Sequence, residues 1–236
     1  MKPTNSLTGL RVAITGGTSG LGLALLRQLR RAGAQVAFVA RDAQRVADVA
    51  RDVAGSHGIA GDVSRKIETH ALAIQIAAAL GGLDVLINNA SSLGPVPLAP
   101  LADTDCEDLE KALATNLVGP FRLAKALLGA LSASAREGRP ALIVNVTSDA
   151  AVTPYAGWGA YGASKAALLQ LSRIWDEELR EHGVRVLAVD PGDMDTPLHA
   201  LAVPDADTAS LKRPDTAAAE IIGLIDDHVA AQEATA

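Results

Sequence analysis

A single α/β domain, with helices wound over both faces of a parallel sheet, is the architecture this chain predicts, and three observations carry that expectation. Short apolar runs rich in β-branched residues alternate with longer Ala- and Leu-rich stretches along the chain. The first run, RVAIT, passes directly through the glycine cluster GGTSGLG into a helical pattern. The length, 236 residues, fits one large domain whose core needs no staple.

Taken in order, strands are predicted at 11–15, 35–40, 57–61, 83–87, 141–146 and 185–189, each a compact run of the kind buried on both faces of a parallel sheet. Helices are predicted between them at 20–31, 44–54, 65–79, 105–134 and 160–181. A last helix at 215–227 begins just after Pro214, where a missing N–H costs nothing. Two stretches break the alternation: the Pro-rich 92–100, and 193–213. Loops after strand C-termini border the ligand crevice of an open α/β sheet, so both are expected to wall a pocket. Residues 1–236 read as one domain, with 229–236 as a flexible tail.

Composition excludes several classes of function. Lys and Arg total 21 against 27 Asp and Glu, a net charge of -6, with no basic block or aromatic ladder for nucleic acid. Cys106 is the only cysteine, and neither CxxC nor His-rich spacing offers a metal site. A reducing compartment is expected. The opening MKPTNSLTGL has no long apolar stretch, and nowhere do 18 apolar residues run together. The expectation is a cytoplasmic protein without membrane contact.

The most informative local pattern is YGASK, which sets Tyr161 and Lys165 four residues apart on one helix face. A cation beside a phenol favours the phenolate, and a fall of roughly three pKa units corresponds to about 4 kcal/mol. In isolation such a pair is more often a packed or solvated helix face. In TGGTSGLG, Gly16, Gly20 and Gly22 follow a GxxxGxG spacing. Such a turn lets backbone approach a phosphate at a helix N-terminus. Ser148 in VTS ends an apolar run, and INNAS, Asn116 in ATNLVGP and Asp190-Pro191-Gly192 complete the set.

In order and spacing, from about residue 7 to residue 197, these motifs resemble the short-chain dehydrogenase/reductase family. The resemblance implies a Rossmann-type fold and an enzyme that moves hydride between a nicotinamide and a carbonyl or alcohol. It implies Tyr161 as general acid/base, and Lys165 to lower its pKa and hold the ribose hydroxyls. Ser148 would orient the substrate oxygen, and Asn116 would support a water linking Lys165 to solvent. Cofactor contacts are implied at Gly16, Thr18, Ser19, Gly20, Leu21, Gly22, Arg41, Asp62, Val63, Asn89, Ala90, Tyr161, Lys165, Pro191, Gly192, Met194 and Thr196. Asn88 would tie neighbouring strands together.

Where the family carries an NAD-selecting acid, this chain has Ala40 followed by Arg41. A guanidinium suits a 2′-phosphate, so NADP(H) is expected over NAD(H), with Asp42 as a helix cap. The second basic position of NADP-preferring relatives is Ser19 here. The usual NNAG is NNAS, placing Ser91 where glycine is customary. SSLGP and GWGAY are similar to the sepiapterin and benzil reductase branch. DAAVTPYAGW, with Leu93, Pro95, Val96, Met194 and Leu198, makes a largely apolar pocket wall without Arg or Lys, and 193–213 would be the substrate loop. Tyr155 and Trp158 fit pocket or packing equally well.

The expected reaction is NADPH-dependent reduction of a neutral ketone, aldehyde or diketone. Its alternatives are an alcohol dehydrogenase working oxidatively and a non-catalytic cofactor sensor. The chain also lacks the glycine-rich final strand through which relatives form tetramers. A homodimer through the helices at 105–134 and 160–181 is therefore expected.

Overall fold

The computed structural model describes residues 7–233. Six strands, β1 (Arg11–Thr15), β2 (Gln35–Ala40), β3 (Ser56–Ala60), β4 (Val85–Asn88), β5 (Leu142–Val146) and β6 (Arg185–Val189), form one sheet in the order β3-β2-β1-β4-β5-β6. Every pairing is parallel, with Val12 level with Val36 and Val85, and Leu142 level with Val85 and Arg185. Strand order reverses between β1 and β4, which opens a crevice at their C-terminal ends.

Alternation along the strands sorts side chains into two cores. Val12, Ile14, Val36 and Phe38 meet Leu25, Leu26 and Leu29 of α1 (Gly20–Arg31) and Ile221 and Ile225 of α8 (Pro214–Glu233). On the opposite face Ala13, Ala37, Val39 and Ile143 meet Leu72 and Ile76 of α3 (Thr69–Leu80) and Leu123 and Leu127 of α5 (Gly119–Arg136). Each buried Leu or Ile of these layers is worth about 1.5–3 kcal/mol. The remaining helices are α2 (Ala43–Asp52), α4 (Cys106–Leu113), α6 (Gly159–Leu179) and α7 (Pro197–Ala202).

Three expectations are corrected. Residues 105–134 are not one helix: α4 passes through a π turn, Ala114–Val118, into α5. Pro120 has no N–H to give the Asn116 carbonyl, so the regular bond pattern cannot continue there. The loop 193–213 contains α7, started by the Thr196 cap and Pro197, and its base is pinned by Lys212 N to Asp193 O at 2.9 Å and Asp195 N to Lys212 O at 3.0 Å. The expected tail at 229–236 is helical through Glu233, because Val229, 2% exposed, belongs to the core. Residues 234–236 lie outside the described residues.

Candidate active site

The C-terminal ends of the strands open onto one cavity of about 820 Å³. All the site residues expected from sequence line it except Gly22 and Asn116. Gly22 lies behind the turn, where a Cβ would overlap the Gly16 carbonyl oxygen, so its role is to let α1 pack closely. Gly16 itself has φ +73°, and a Cβ there would stand 2.9 Å from Asn89 Nδ2 and 3.0 Å from Ala90 Cα. The Thr15 hydroxyl accepts from the backbone N–H groups of Asn89 and Ala90, both at 3.0 Å, and Asn89 Nδ2 donates to Thr15 O at 2.9 Å. These bonds fix the two loops that flank the crevice.

The residues fit a dinucleotide. The first turn of α1 has no acidic residue, and Ser19 at its N-cap makes no side-chain capping bond, which leaves N–H donors and the positive dipole end for a pyrophosphate. Beyond β2, Asp42 is engaged as the cap of α2, accepting from Arg45 N at 3.0 Å. Arg41 and Arg45 both line this end of the cavity. Arg45 went unnoticed in the sequence, although RDAQR places it one helical turn after Arg41. Asp62 Oδ1 accepts from Ser64 N at 2.9 Å and Ser64 Oγ at 2.7 Å, which sets the turn after β3.

At the other end, β5 and α6 bring Ser148, Tyr161 and Lys165 together. A ladder of polar side chains fixes this pairing: Asn88 Nδ2 donates to Asn145 Oδ1, and Asn145 Nδ2 to Ser172 Oγ, each at 2.8 Å. Lys165 is 2% exposed, and its Nζ donates to Val146 O at 2.8 Å. Burial lowers its pKa to about 8. The Tyr161 phenol, 8% exposed, is pushed up to about 12 by burial, which outweighs the lowering effect of hydrogen bonds with Ser148 and Ser91. The depressed phenol pKa expected from Lys165 is therefore not what this structure has. Lys165 Nζ lies 5.5 Å from the ring centroid and directs its hydrogen bond to a carbonyl rather than to the phenol, while the dry surroundings disfavour either charge by itself.

Asn116, 1% exposed, has its side chain fully engaged. Oδ1 accepts from Ser92 N at 2.8 Å and Ser91 Oγ at 3.2 Å, while Nδ2 donates to Ser92 O and Ser164 Oγ, both at 2.8 Å. Its amide thus holds loops together and has no bond left for a water.

The pocket wall is partly as expected. Leu93, Met194 and Leu198 line the cavity, joined by Leu201, Ala202 and Val203. Pro95 and Val96 do not, because the 92–100 loop turns them away, leaving Val96 53% exposed. Both Tyr155 and Trp158 face the cavity, and Trp158 meets Tyr161 edge-on at 5.7 Å between ring centroids. Asp149, which opens the DAAVTPYAGW stretch, has a role the sequence did not assign. Its carboxylate accepts from Tyr155 OH at 2.7 Å and Ser148 Oγ at 3.0 Å, and the Tyr155 bond above all holds its pKa down. Gly192 N donates to Asp190 Oδ1 at 2.9 Å, shaping the turn that leads to Met194. Thr196 Oγ1 caps α7 by accepting from His199 N at 3.2 Å.

A dinucleotide crevice ending at a buried phenol and ammonium defines the class, an NAD(P)-dependent oxidoreductase. The family model for the short chain dehydrogenases matches residues 11–207, and the chain belongs to that family. It is 34% identical over 240 residues to the rhamnolipids biosynthesis 3-oxoacyl-(acyl-carrier-protein) reductase of Pseudomonas aeruginosa, covering 95% of this chain and 92% of that one. It is 32% identical to the serine 3-dehydrogenase of Agrobacterium fabrum, over 78% of this chain and 72% of that one. Among solved structures, the 3-ketoacyl-(acyl-carrier-protein) reductase of Brucella melitensis, complexed with NADH, superposes with a TM-score of 0.86 at 26% identity, covering 92% of this chain and 91% of that one. A short chain dehydrogenase of Shigella flexneri, complexed with NADP, gives 0.84 at 25% identity, covering 96% and 93%. The protein is an NAD(P)-dependent oxidoreductase acting on CH–OH and C=O groups.

Proposed function

We propose that the enzyme reduces a neutral ketone, aldehyde or diketone with NADPH. The observation that carries this reading is the convergence of Ser148, Tyr161 and Lys165 on one end of the cavity, among apolar walls. When bound, the nicotinamide supplies the hydride. Ser148 orients the carbonyl oxygen, and Tyr161 gives that oxygen its phenolic proton. Lys165 lies behind the phenol, holds the ribose hydroxyls and offsets the negative charge left on Tyr161. A phenol kept protonated by burial suits the acid role that reduction needs.

NADPH is favoured by Arg41 and Arg45, two guanidiniums at the adenosine end, with the neighbouring Asp42 occupied as a cap. A neutral substrate is favoured by Asp149 and Asp193 on the wall, which repel a carboxylate, while Lys165, the cation at this end, is tied to Val146 O. The loop 193–213 closes the substrate side. The π turn beside Asn116 leaves the water link from Lys165 to backbone rather than to the Asn116 amide. The enzyme acts in the cytoplasm as a homodimer formed through α4, α5 and α6. The test is consumption of NADPH, with NADH in parallel, over a panel of neutral ketones, aldehydes and diketones. Turnover with NADPH that vanishes in Tyr161→Phe supports the reading; equal turnover in that variant overturns it.

A further inference from the structure

Ser91 stands just beyond β4 with its hydroxyl between two polar groups. Its Oγ donates to Asn116 Oδ1 at 3.2 Å, and it lines the cavity together with the Tyr161 phenol, near enough to favour the phenolate. Asn116 is a fixed post, held by Ser92 on one side and by Ser164 on the other. Ser164 Oγ in turn donates to Tyr161 O at 2.6 Å. Asn116 is thereby tied to the Tyr161 backbone through Ser164, and it holds the Ser91 hydroxyl beside the phenol.

Resting on the acid/base reading of Tyr161, we propose that Ser91 is a further catalytic residue, whose hydroxyl turns from Asn116 Oδ1 onto the Tyr161 oxygen when that oxygen becomes charged. A serine hydroxyl has one proton to donate, so it serves one acceptor at a time. In reduction the phenolic O–H bond breaks, the proton passes to the substrate oxygen, and the electron pair stays on the Tyr161 oxygen. Ser91 then donates to that pair, and its own proton does not change owner. A glycine at this position offers no such donor.

The surroundings make the second hydroxyl useful. Ser148, from the end of β5, is shared with Asp149 Oδ1 at 3.0 Å. Asp190 after β6 and Asp149 in the turn after β5 both disfavour a phenolate, and Lys165 on α6 is the cation facing it. A hydrogen bond to a charged group is the stronger kind, and losing one here corresponds to a shift of about one pKa unit.

The chain has two tyrosines, so in a Tyr155→Phe background the ultraviolet absorbance of tyrosinate titrates Tyr161 alone. With NADP⁺ bound, Ser91→Ala and Ser91→Gly are each expected to raise the midpoint by about one unit. Ser91→Thr, which keeps the hydroxyl, is expected to leave it in place. Two truncations are used so that one failing to fold does not decide the matter. An unmoved midpoint in a folded truncation would overturn the proposal. The titration needs no turnover, so its outcome is separate from the failure or success of the proposed reaction.

Discussion

The two edges of the sheet bury charge in opposite ways. At the N-terminal edge Asp84, 0% exposed, accepts from Arg11 N at 2.8 Å, Arg11 Nη2 at 2.7 Å and Arg139 Nη2 at 2.7 Å. Burial pushes its pKa up, but the Arg139 and Arg11 bonds outweigh that and leave it at about 2. At the C-terminal edge Lys165, 2% exposed, is met by a neutral carbonyl, and burial brings it down to about 8. A buried charge answered by opposite charge clamps the fold, whereas one left unanswered awaits a ligand or a proton transfer. The difference separates structural from chemical residues in a molecule where both are buried.

The largest expected effect is on the chemical side. Tyr161→Phe should lower kcat by about 10²–10⁴-fold, the usual worth of a positioned acid, while cofactor binding, read by NADPH fluorescence, stays nearly intact. Next, Asp84→Asn should cost about 3–5 kcal/mol in urea unfolding because two guanidiniums lose their counter-charge, while turnover per folded molecule is retained. Part of that cost is pH-dependent. The folded-state pKa of Asp84 lies below its ordinary 3.8, so its contribution of roughly 2 kcal/mol is present above that value and lost as pH falls toward 2. The gap between wild type and Asp84→Asn should narrow over that window. Smallest is Arg41→Ala, expected to weaken NADPH binding about tenfold and leave NADH binding nearly unchanged, as measured by titration of each cofactor.

Much of this contrast was legible in the sequence. Strands such as RVAIT and LIVNV sit within a residue or two of where their apolar runs end, because burial on both faces imposes an uninterrupted pattern. YGASK, VTS and the glycine turn marked the cavity because each joins a spacing to a chemistry. Features set by meetings between distant elements were not legible. The 105–134 pattern stays helical through the π turn, since the apolar spacing hides the bond that Pro120 cannot make. Ser91 stood out as a departure from the customary glycine, but its partners, like those of Asp149, follow only once β4, β5 and α6 come together beside the phenol. Six-residue α7 is too short to show a period, and only its Thr196-Pro197 start signals it.

The central claim, that the C-terminal edge gives up stability for chemistry, is tested most directly by Lys165→Met in the cofactor-free enzyme. Its folded-state pKa lies below the ordinary 10.5, so at neutral pH folding carries an ammonium into a dry site. That penalty is relieved only as pH rises from about 8 through 10.5. After allowance for the Val146 carbonyl left without a donor, the variant should be more stable at pH 7 by about 1–3 kcal/mol and should lose turnover. A variant that is destabilised as Asp84→Asn is, with turnover retained, would contradict the account.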